Sequence, residues 1–427
     1  MDTSYVSSVR LTSFKSFTDQ VLPLDELTLL VGRNGSGKSN ALDGLWALAR
    51  LAGGEDIRDA LDGGRDAAVR GGTGGCAPFG QSSFSLGCSV RTGERLVDLD
   101  LTVQLEPIPQ IRRERLSIDG QVVGQHDPPA FDTADVARWT SGAALGSRTF
   151  GFRGGRLLTP QLVGPAGASE ADRNVRLAAA QVVAALRQVF VLDPVPHLMR
   201  GYVPERDSVL RADASNLSAA LASLLSRPDI GDRLGQAMSQ LLGRAIHLTS
   251  TRSDLGDVLL TLLEWFVDDE HTVPARLMSD GSLRFLAILV ALLEAPTIDV
   301  EPEALGAEDA VGQTTLVIEE LENGLHASQA QLLIGLIRDE VKRRRVRVLA
   351  TAYSPALLDA LHGDEHRSVV VCQRDEVGRS SLHRLVELTD YVGVVARGPW
   401  PLGRGRPPAA DTAPRPDPLR GVGRDPR

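Results

Sequence analysis

The sequence predicts an α/β fold: a mixed, largely parallel sheet core with an antiparallel β subdomain and a helical insertion. Three observations predict it. The apolar run Leu27-Thr28-Leu29-Leu30-Val31 leads into a glycine-rich turn, and a helical pattern follows from Ser39 to about Leu51. Helix and strand patterns then alternate from 281 to 372, the order of a parallel sheet covered by helices. Between them, Val97-Asp98-Leu99-Asp100-Leu101-Thr102-Val103 alternates with a period of two, as antiparallel strands with one buried face do.

Taken in order, Val9–Phe14 and Gln20–Leu24 read as strands ahead of the buried run. Residues 53–75 hold four Gly-Gly pairs and read as a mobile loop, and 125–165 reads as irregular. From 168 to 244 the pattern is helical and rich in Ala, Leu and Arg, and 246–266 returns to strand. Residues 398–427 carry eight of the chain's 24 prolines and read as a disordered tail. The expected division is therefore an N-terminal lobe at 1–165, a helical insertion at 166–245, a C-terminal lobe at 246–397 and the tail at 398–427.

Composition bounds the function. With 427 residues, 42% hydrophobic and 24% charged, the chain is long enough for a large core and is not a disordered polymer. A net charge of −9 gives no global basic field, so any DNA contact must use local patches. Cys76, Cys88 and Cys372 are far apart and form no CxxC pair, which argues against a disulfide framework or a zinc site and fits the reducing cytoplasm. The N-terminus lacks a signal-peptide layout, and the longest strongly apolar run, Phe285–Leu293, is too short to cross a bilayer, so no membrane span is expected in the chain itself and a transporter subunit with its own channel is excluded, though a soluble ATPase attached to one is not. Lysine occurs only at Lys15, Lys38 and Lys342 against a background of arginine, so a surviving lysine marks a place where arginine does not substitute.

Lys38 sits in such a place. Gly32-Arg33-Asn34-Gly35-Ser36-Gly37-Lys38-Ser39 fits GxxxxGK[ST] at every fixed position, after a buried strand and before a helix. Glycines let backbone N–H groups curl around phosphate oxygens, and the helix N-terminus adds partial positive charge. Lys38 would reach the β- and γ-phosphates of ATP and the Ser39 hydroxyl would hold Mg²⁺, with Asn40 closing the segment. Downstream, Thr315-Leu316-Val317-Ile318-Glu319-Glu320 is an apolar strand ending in two carboxylates. Strand neighbours face opposite ways, so their roles differ: Glu319 would reach Mg²⁺ through water, and Glu320 would orient and polarise the attacking water. Taken alone, such a strand end is equally a solvated acidic turn.

A third element is Leu277-Met278-Ser279-Asp280-Gly281-Ser282-Leu283-Arg284, before a hydrophobic helix for which Ser279 is a suitable N-cap. This segment resembles the signature motif of the SMC/RecF-like branch of ABC-type P-loop NTPases. The resemblance implies that Ser279, Asp280 and Gly281 contact the nucleotide held by a second copy, so that a homodimer closes around two ATP molecules. Leu11-Thr12-Ser13-Phe14-Lys15-Ser16-Phe17 is similar to the first strand of such heads, with Ser13 where Asn is common, and Ser39-Asn40 is similar to their GKSN ending. Glu319-Glu320-Leu321-Glu322-Asn323-Gly324-Leu325-His326 resembles their EEPENGLHP form, with Leu321 and Ala327 in place of the two prolines. Arg211-Ala212-Asp213-Ala214-Ser215-Asn216-Leu217 is similar to a dGsNL segment of small bacterial AAA-type members, ATPases that include partners in DNA repair and phage defence. These islands span about residues 6–375. One departure falls in Thr351-Ala352-Tyr353-Ser354-Pro355, where Tyr353 stands in place of the His that senses the γ-phosphate. A phenol donates a hydrogen bond but does not become cationic near neutral pH, so hydrolysis would be slow or differently gated. Gln161 and Gln81 are the candidates for the glutamine loop.

Weaker signals have plainer readings. His362 and His366 read as a surface turn, Lys342-Arg343-Arg344-Arg345 as a helix end, and Arg112, Arg113 and Arg115 as an exposed strand face or phosphate contacts. The expected activity is Mg²⁺-dependent ATP hydrolysis that controls DNA engagement or a partner effector, such as a nuclease supplied in trans. The alternative is a nucleotide-gated clamp with little turnover. The OLD family joins such a head to a TOPRIM nuclease domain, but here only some 70 residues follow the switch loop and no acidic TOPRIM pattern is present.

Overall fold

The computed structural model describes residues 3–63, 68–126, 136–141, 148–163, 170–266, 269–294, 310–344, 346–353, 355–358, 361 and 363–388. The chain opens with β1 (Thr3–Phe14), β2 (Phe17–Pro23), β3 (Leu27–Val31) and α1 (Lys38–Ala52). A short α2 (Ile57–Asp62) follows, then the antiparallel run β4 (Ser83–Thr92), β5 (Arg95–Gln104), β6 (Gln110–Ile118), β7 (Gln121–His126), β8 (Val136–Ser141) and β9 (Arg148–Arg153). Next come α3 (Leu158–Leu162), α4 (Glu170–Arg187), β10 (Val189–Leu192), β11 (Val203–Pro204), α5 (Leu217–Leu225) and α6 (Pro228–Leu242). The remainder is β12 (Ile246–Arg252), β13 (Asp257–Phe266), β14 (Asp269–Pro274), α7 (Asp280–Leu293), β15 (Val311–Gly312), β16 (Thr315–Ile318), α8 (Ala327–Arg344), β17 (Arg347–Ala352), α9 (Pro355–Leu358), β18 (Val369–Arg374) and β19 (Ser380–Arg384).

One large sheet organises these elements, in the order β10-β16-β17-β3-β18-β19-β2-β1-β4-β5-β6-β7-β8-β9, with β15 on β1. The five strands from β10 to β18 are parallel, and β4 to β9 form an antiparallel meander. A smaller sheet joins β11, β12, β13 and β14. The expected α/β class with a β subdomain is what the structure shows.

Strand alternation divides the apolar residues between two cores. Leu30, Val317 and Leu349 point to one face and pack with α1 and α4, while Leu29, Leu316, Ile318 and Val348 point to the other and pack with α7 and α8. On α8 the residues Leu333, Ile334, Ile337 and Val341, three or four apart, form the buried stripe. The helix that follows the glycine-rich turn and the helix that follows Ser279 therefore lie on opposite faces of the same sheet.

Three expectations change. The segment 53–75 is not simply a loop: Ile57, Ala60 and Leu61 are fully buried in α2, and Asp56 caps it by accepting from Arg58 N. The glycine pairs hid this apolar stripe. Residues 125–165 contain β8 and β9, paired from Val136↔Arg153 to Ser141↔Arg148. The helical stretch at 166–245 is divided: α4 packs into the core beside α1, β10 joins the central sheet, and α5 and α6 pack on the opposite face. A four-residue strand between helices is too short for its pattern to show. The tail at 398–427 and His362 lie outside the described residues.

Candidate functional site

Three elements converge at the C-terminal ends of β3, β16 and β17, where open parallel sheets place their sites. The loop Gly32–Gly37 joins β3 to α1. Gly37 has φ 113° and lies so close to β19 that a Cβ would come within 2.3 Å of Ser380 Oγ, and a Cβ on Gly32 would fall 2.4 Å from Cys372 O. No side chain larger than hydrogen fits either place. Gly37 also leaves α1 without a side-chain cap, so the first-turn N–H groups remain available to an anion. Lys38 Nζ arches over the loop and donates to Gly32 O at 2.7 Å and Arg33 O at 3.2 Å. Burial lowers the lysine pKa, and the nearby carboxylates of Glu322 and Glu320 act against that shift. Ser36 is buried with its carbonyl taken by Ser380 Oγ (2.7 Å) and Cys372 Sγ (3.3 Å), while its own Oγ has no partner. Asn40 Nδ2 donates to Ser16 Oγ at 2.9 Å and ties α1 to the β1–β2 turn.

The acidic strand end is built around a strained turn. Glu320 has φ 50°, a left-handed conformation uncommon for a residue with a side chain. Its N–H donates to Thr351 Oγ1 at 2.8 Å and its Oε2 accepts from Asn323 Nδ2 at 2.9 Å. Leu321 N–H donates to Thr351 O at 3.0 Å, a bond that a proline there could not make. Glu322 is buried and its Oε1 accepts from Tyr353 N at 2.6 Å, which fixes the switch loop to the acidic turn. The Tyr353 side chain is 46% exposed; Ser354 lies outside the described residues.

Glu319 is held differently. Arg70 grips its carboxylate with both terminal nitrogens, Nη1 to Oε2 at 3.0 Å and Nη2 to Oε1. The same guanidinium meets Asp43 on α1 at 3.1 Å, and Lys15 Nζ bonds Asp43 Oδ2 at 2.7 Å and Arg70 O at 2.6 Å. Sequence reasoning missed Arg70 because it lies within the Gly-Gly repeats; its only signal was a basic residue next to a conformationally free pair. It also missed Cys372 and Ser380, which form the floor of the loop from strands remote in sequence.

Ser279 caps α7 as expected, its Oγ accepting from Ser282 N at 3.1 Å. Asp280 pairs with Arg200 at 2.5 Å, and Arg200 also donates to Arg276 O (2.9 Å) and Met278 O (2.8 Å), so one guanidinium shapes the whole segment. A Cβ on Gly281 would lie 2.2 Å from Gly324 O, so Ser279–Gly281 abuts the turn that ends the acidic segment. In the Arg211–Leu217 island, Asn216 is fully buried and donates to Asp207 O and Val209 O, both at 2.7 Å, while accepting from Arg211 N at 2.9 Å. That role is structural. Gln161 bonds the backbone of Arg153 and Leu157, and Gln81 accepts from Ser13 Oγ at 3.2 Å. Among the described residues no cluster of His, Cys, Asp and Glu is arranged to hold a metal by itself, and no helix is long and apolar enough to cross a membrane.

Residues 176–359 match the family model described as "AAA domain, putative AbiEii toxin, Type IV TA system". The mixed parallel and antiparallel sheet with helices on both faces is an α/β fold. No curated protein matches the chain. Similar solved structures include an Smc head bound to the C-terminal winged-helix domain of ScpA, at 14% identity over 89% of this chain and 97% of that one, with a TM-score of 0.46. An SMC head domain from Thermotoga maritima matches at 11% identity over 89% and 98%, with a TM-score of 0.41. The recombination mediator RecF matches at 12% identity over 89% and 98%, with a TM-score of 0.40.

Proposed function

We propose that this chain is an ATP-binding and ATP-hydrolysing head that dimerises around ATP to control DNA engagement or a partner effector. The observation that carries the reading is the placement of α1 and α7 on opposite faces of one sheet. Ser279 then serves a nucleotide held by a second copy rather than its own. Within one protomer, Gly32–Gly37 and the first turn of α1 wrap the phosphates, with Arg33 and Asn34 on the exposed crest of the loop. Lys38 exchanges two carbonyls for phosphate oxygens, a better partner for an ammonium. Hard oxygen donors, the Ser39 hydroxyl and the Glu319 carboxylate, suit Mg²⁺, which supplies charge neutralisation when bound. Glu319 must first exchange Arg70 for that cation. Glu320, held beside Asn323 and Thr351, orients water and takes its proton. Tyr353, on a loop anchored to Glu322, offers a hydroxyl donor to the γ-phosphate.

A DNA repair or phage-defence role, a nuclease acting in trans, and a cytoplasmic setting belong to the same proposal. Steady-state ATP turnover by the pure chain tests it: turnover that disappears in Glu320→Gln while ATP still binds supports it, and equal turnover in the variant overturns it. The second reading, a gated clamp with little turnover, is favoured by the exposed Tyr353. Tyr353→His should then raise turnover; an unchanged rate counts against that reading.

A further inference from the structure

At the far end of α1 lies a groove of about 1160 Å³ with an unusual lining. Arg58, Arg153, Arg156 and Arg187 converge on it, and Asp56 is the one carboxylate beside them. The chain as a whole carries −9, so this concentration of positive charge opposes the protein's own field. Asp56 is already engaged in capping α2 through Arg58 N at 3.2 Å. Among the described residues, none of the four guanidiniums is paired with a carboxylate. Arg187 donates to Ala52 O and Gly53 O, both at 3.3 Å, and Arg156 donates to Gly54 O at 3.3 Å. Arg58 and Arg153 are exposed, and among the described residues neither side chain makes a hydrogen bond or ion pair. Scattered surface arginines need no explanation; four lining one concavity without counter-charges do.

We propose that this groove binds the phosphate backbone of nucleic acid, with Arg58 and Arg153 meeting phosphates directly and Arg156 and Arg187 joining the contact to the end of α1. The inference rests on the reading that the head engages DNA, and gives that engagement a place. Planar guanidiniums match phosphate oxygens two at a time, and a polyanion of closely spaced charges satisfies several at once. An acidic peptide would need large apolar anchors as well; the groove's apolar lining is Ile108, 66% exposed at the rim, with Pro107, Pro109 and Pro160, and it has no aromatic side chain. Burial lowers the pKa of Arg187 with no carboxylate to oppose it, the condition an incoming anion would relieve. Fifteen helical residues set the groove about 22 Å from the phosphate loop, so nucleic acid and ATP occupy separate sites. The two are nonetheless joined by one helix: the guanidiniums that bond its last carbonyls line the groove, and its first turn cradles the nucleotide.

The test is fluorescence anisotropy of a labelled 30-base-pair duplex and the matching single strand, titrated at several salt concentrations. The full chain is compared with the Arg58→Glu/Arg153→Glu double variant and with Arg58→Lys/Arg153→Lys. These two positions are chosen because Arg156 and Arg187 also support the backbone. The expected result is binding by the full chain that weakens at least about tenfold in the glutamate variant, with the log–log salt slope reduced by about two, and that survives in the lysine variant. Unchanged affinity and slope in the glutamate variant would overturn the groove while leaving DNA engagement intact. A chain that binds ATP but neither nucleic acid overturns the DNA-engagement reading and the groove with it. Equal or stronger competition by polyglutamate would assign the groove to acidic protein segments instead.

Discussion

Glu114 on β6 is fully buried, and its stability effect follows from its surroundings. Its carboxylate accepts from Leu158 N (2.8 Å), Thr159 N (2.6 Å) and Thr159 Oγ1 (2.5 Å), and so holds the first turn of α3. Burial pushes its pKa from 4.5 up to about 7, with those three hydrogen bonds acting in the opposite direction. The sign is that of a raised acid. The native state holds the proton more tightly than the unfolded chain, so the group's contribution is complete below pH 4.5 and is lost as pH rises through about 7. At ~1.4 kcal/mol per pKa unit the native state loses about 2.5 kcal/mol between pH 5 and pH 8 through this group alone. Glu114→Gln removes the titration and keeps a carbonyl acceptor. Urea unfolding of both proteins at pH 5, 6, 7 and 8 should show wild type losing ground to the variant by about that amount over the interval. A stability difference that does not change with pH would refute the reasoning, because it would mean that the three donors balance the cost of burial.

Four other outcomes follow from the same structure. Arg70→Ala frees Glu319, so the Mg²⁺ concentration giving half-maximal nucleotide-dependent signal should fall; an unchanged or higher requirement would show that the guanidinium does not compete with the cation. Lys38→Ala removes a charge-assisted contact of about 1.5–3 kcal/mol, and ATP affinity measured by calorimetry should drop at least about tenfold. Gly281→Ala places a methyl 2.2 Å from Gly324 O, and overpacking of about 1–3 kcal/mol should appear as a lower unfolding midpoint. Leu321→Pro deletes the N–H that meets Thr351 O and should lower stability by about 1 kcal/mol; a gain would mean that the turn already suits proline.

How far the sequence was legible depended on the range of the interaction. The loop Gly32–Ser39 and the strand end at Glu319–Glu320 are local devices legible from spacing alone; the structure sets them at the ends of β3 and β16, with β17 between them. The N-cap at Ser279 was equally local. What escaped were contacts made across the fold. Arg70 reaches Glu319 over 249 residues, and Ser380 reaches Ser36 over 344, so neither leaves a pattern in any window. Arg200 came from a stretch read as one helical insertion, yet it organises the segment around Asp280. The groove arginines come from α2 (Arg58), the end of β9 and the loop after it (Arg153, Arg156) and α4 (Arg187), and only folding brings these three regions together. The strands β8 and β9 were missed because their partners, rather than their own periodicity, define them.

The central claim, closure of two copies around ATP, is tested most directly by light scattering behind size exclusion on Glu320→Gln, with and without Mg²⁺ and ATP. Slowed hydrolysis should trap the closed state, so the account predicts twice the monomer mass with ATP and monomer mass without it. Ser279→Arg placed in the same background should abolish the shift. Monomer mass under every condition, with ATP demonstrably bound, would contradict the account.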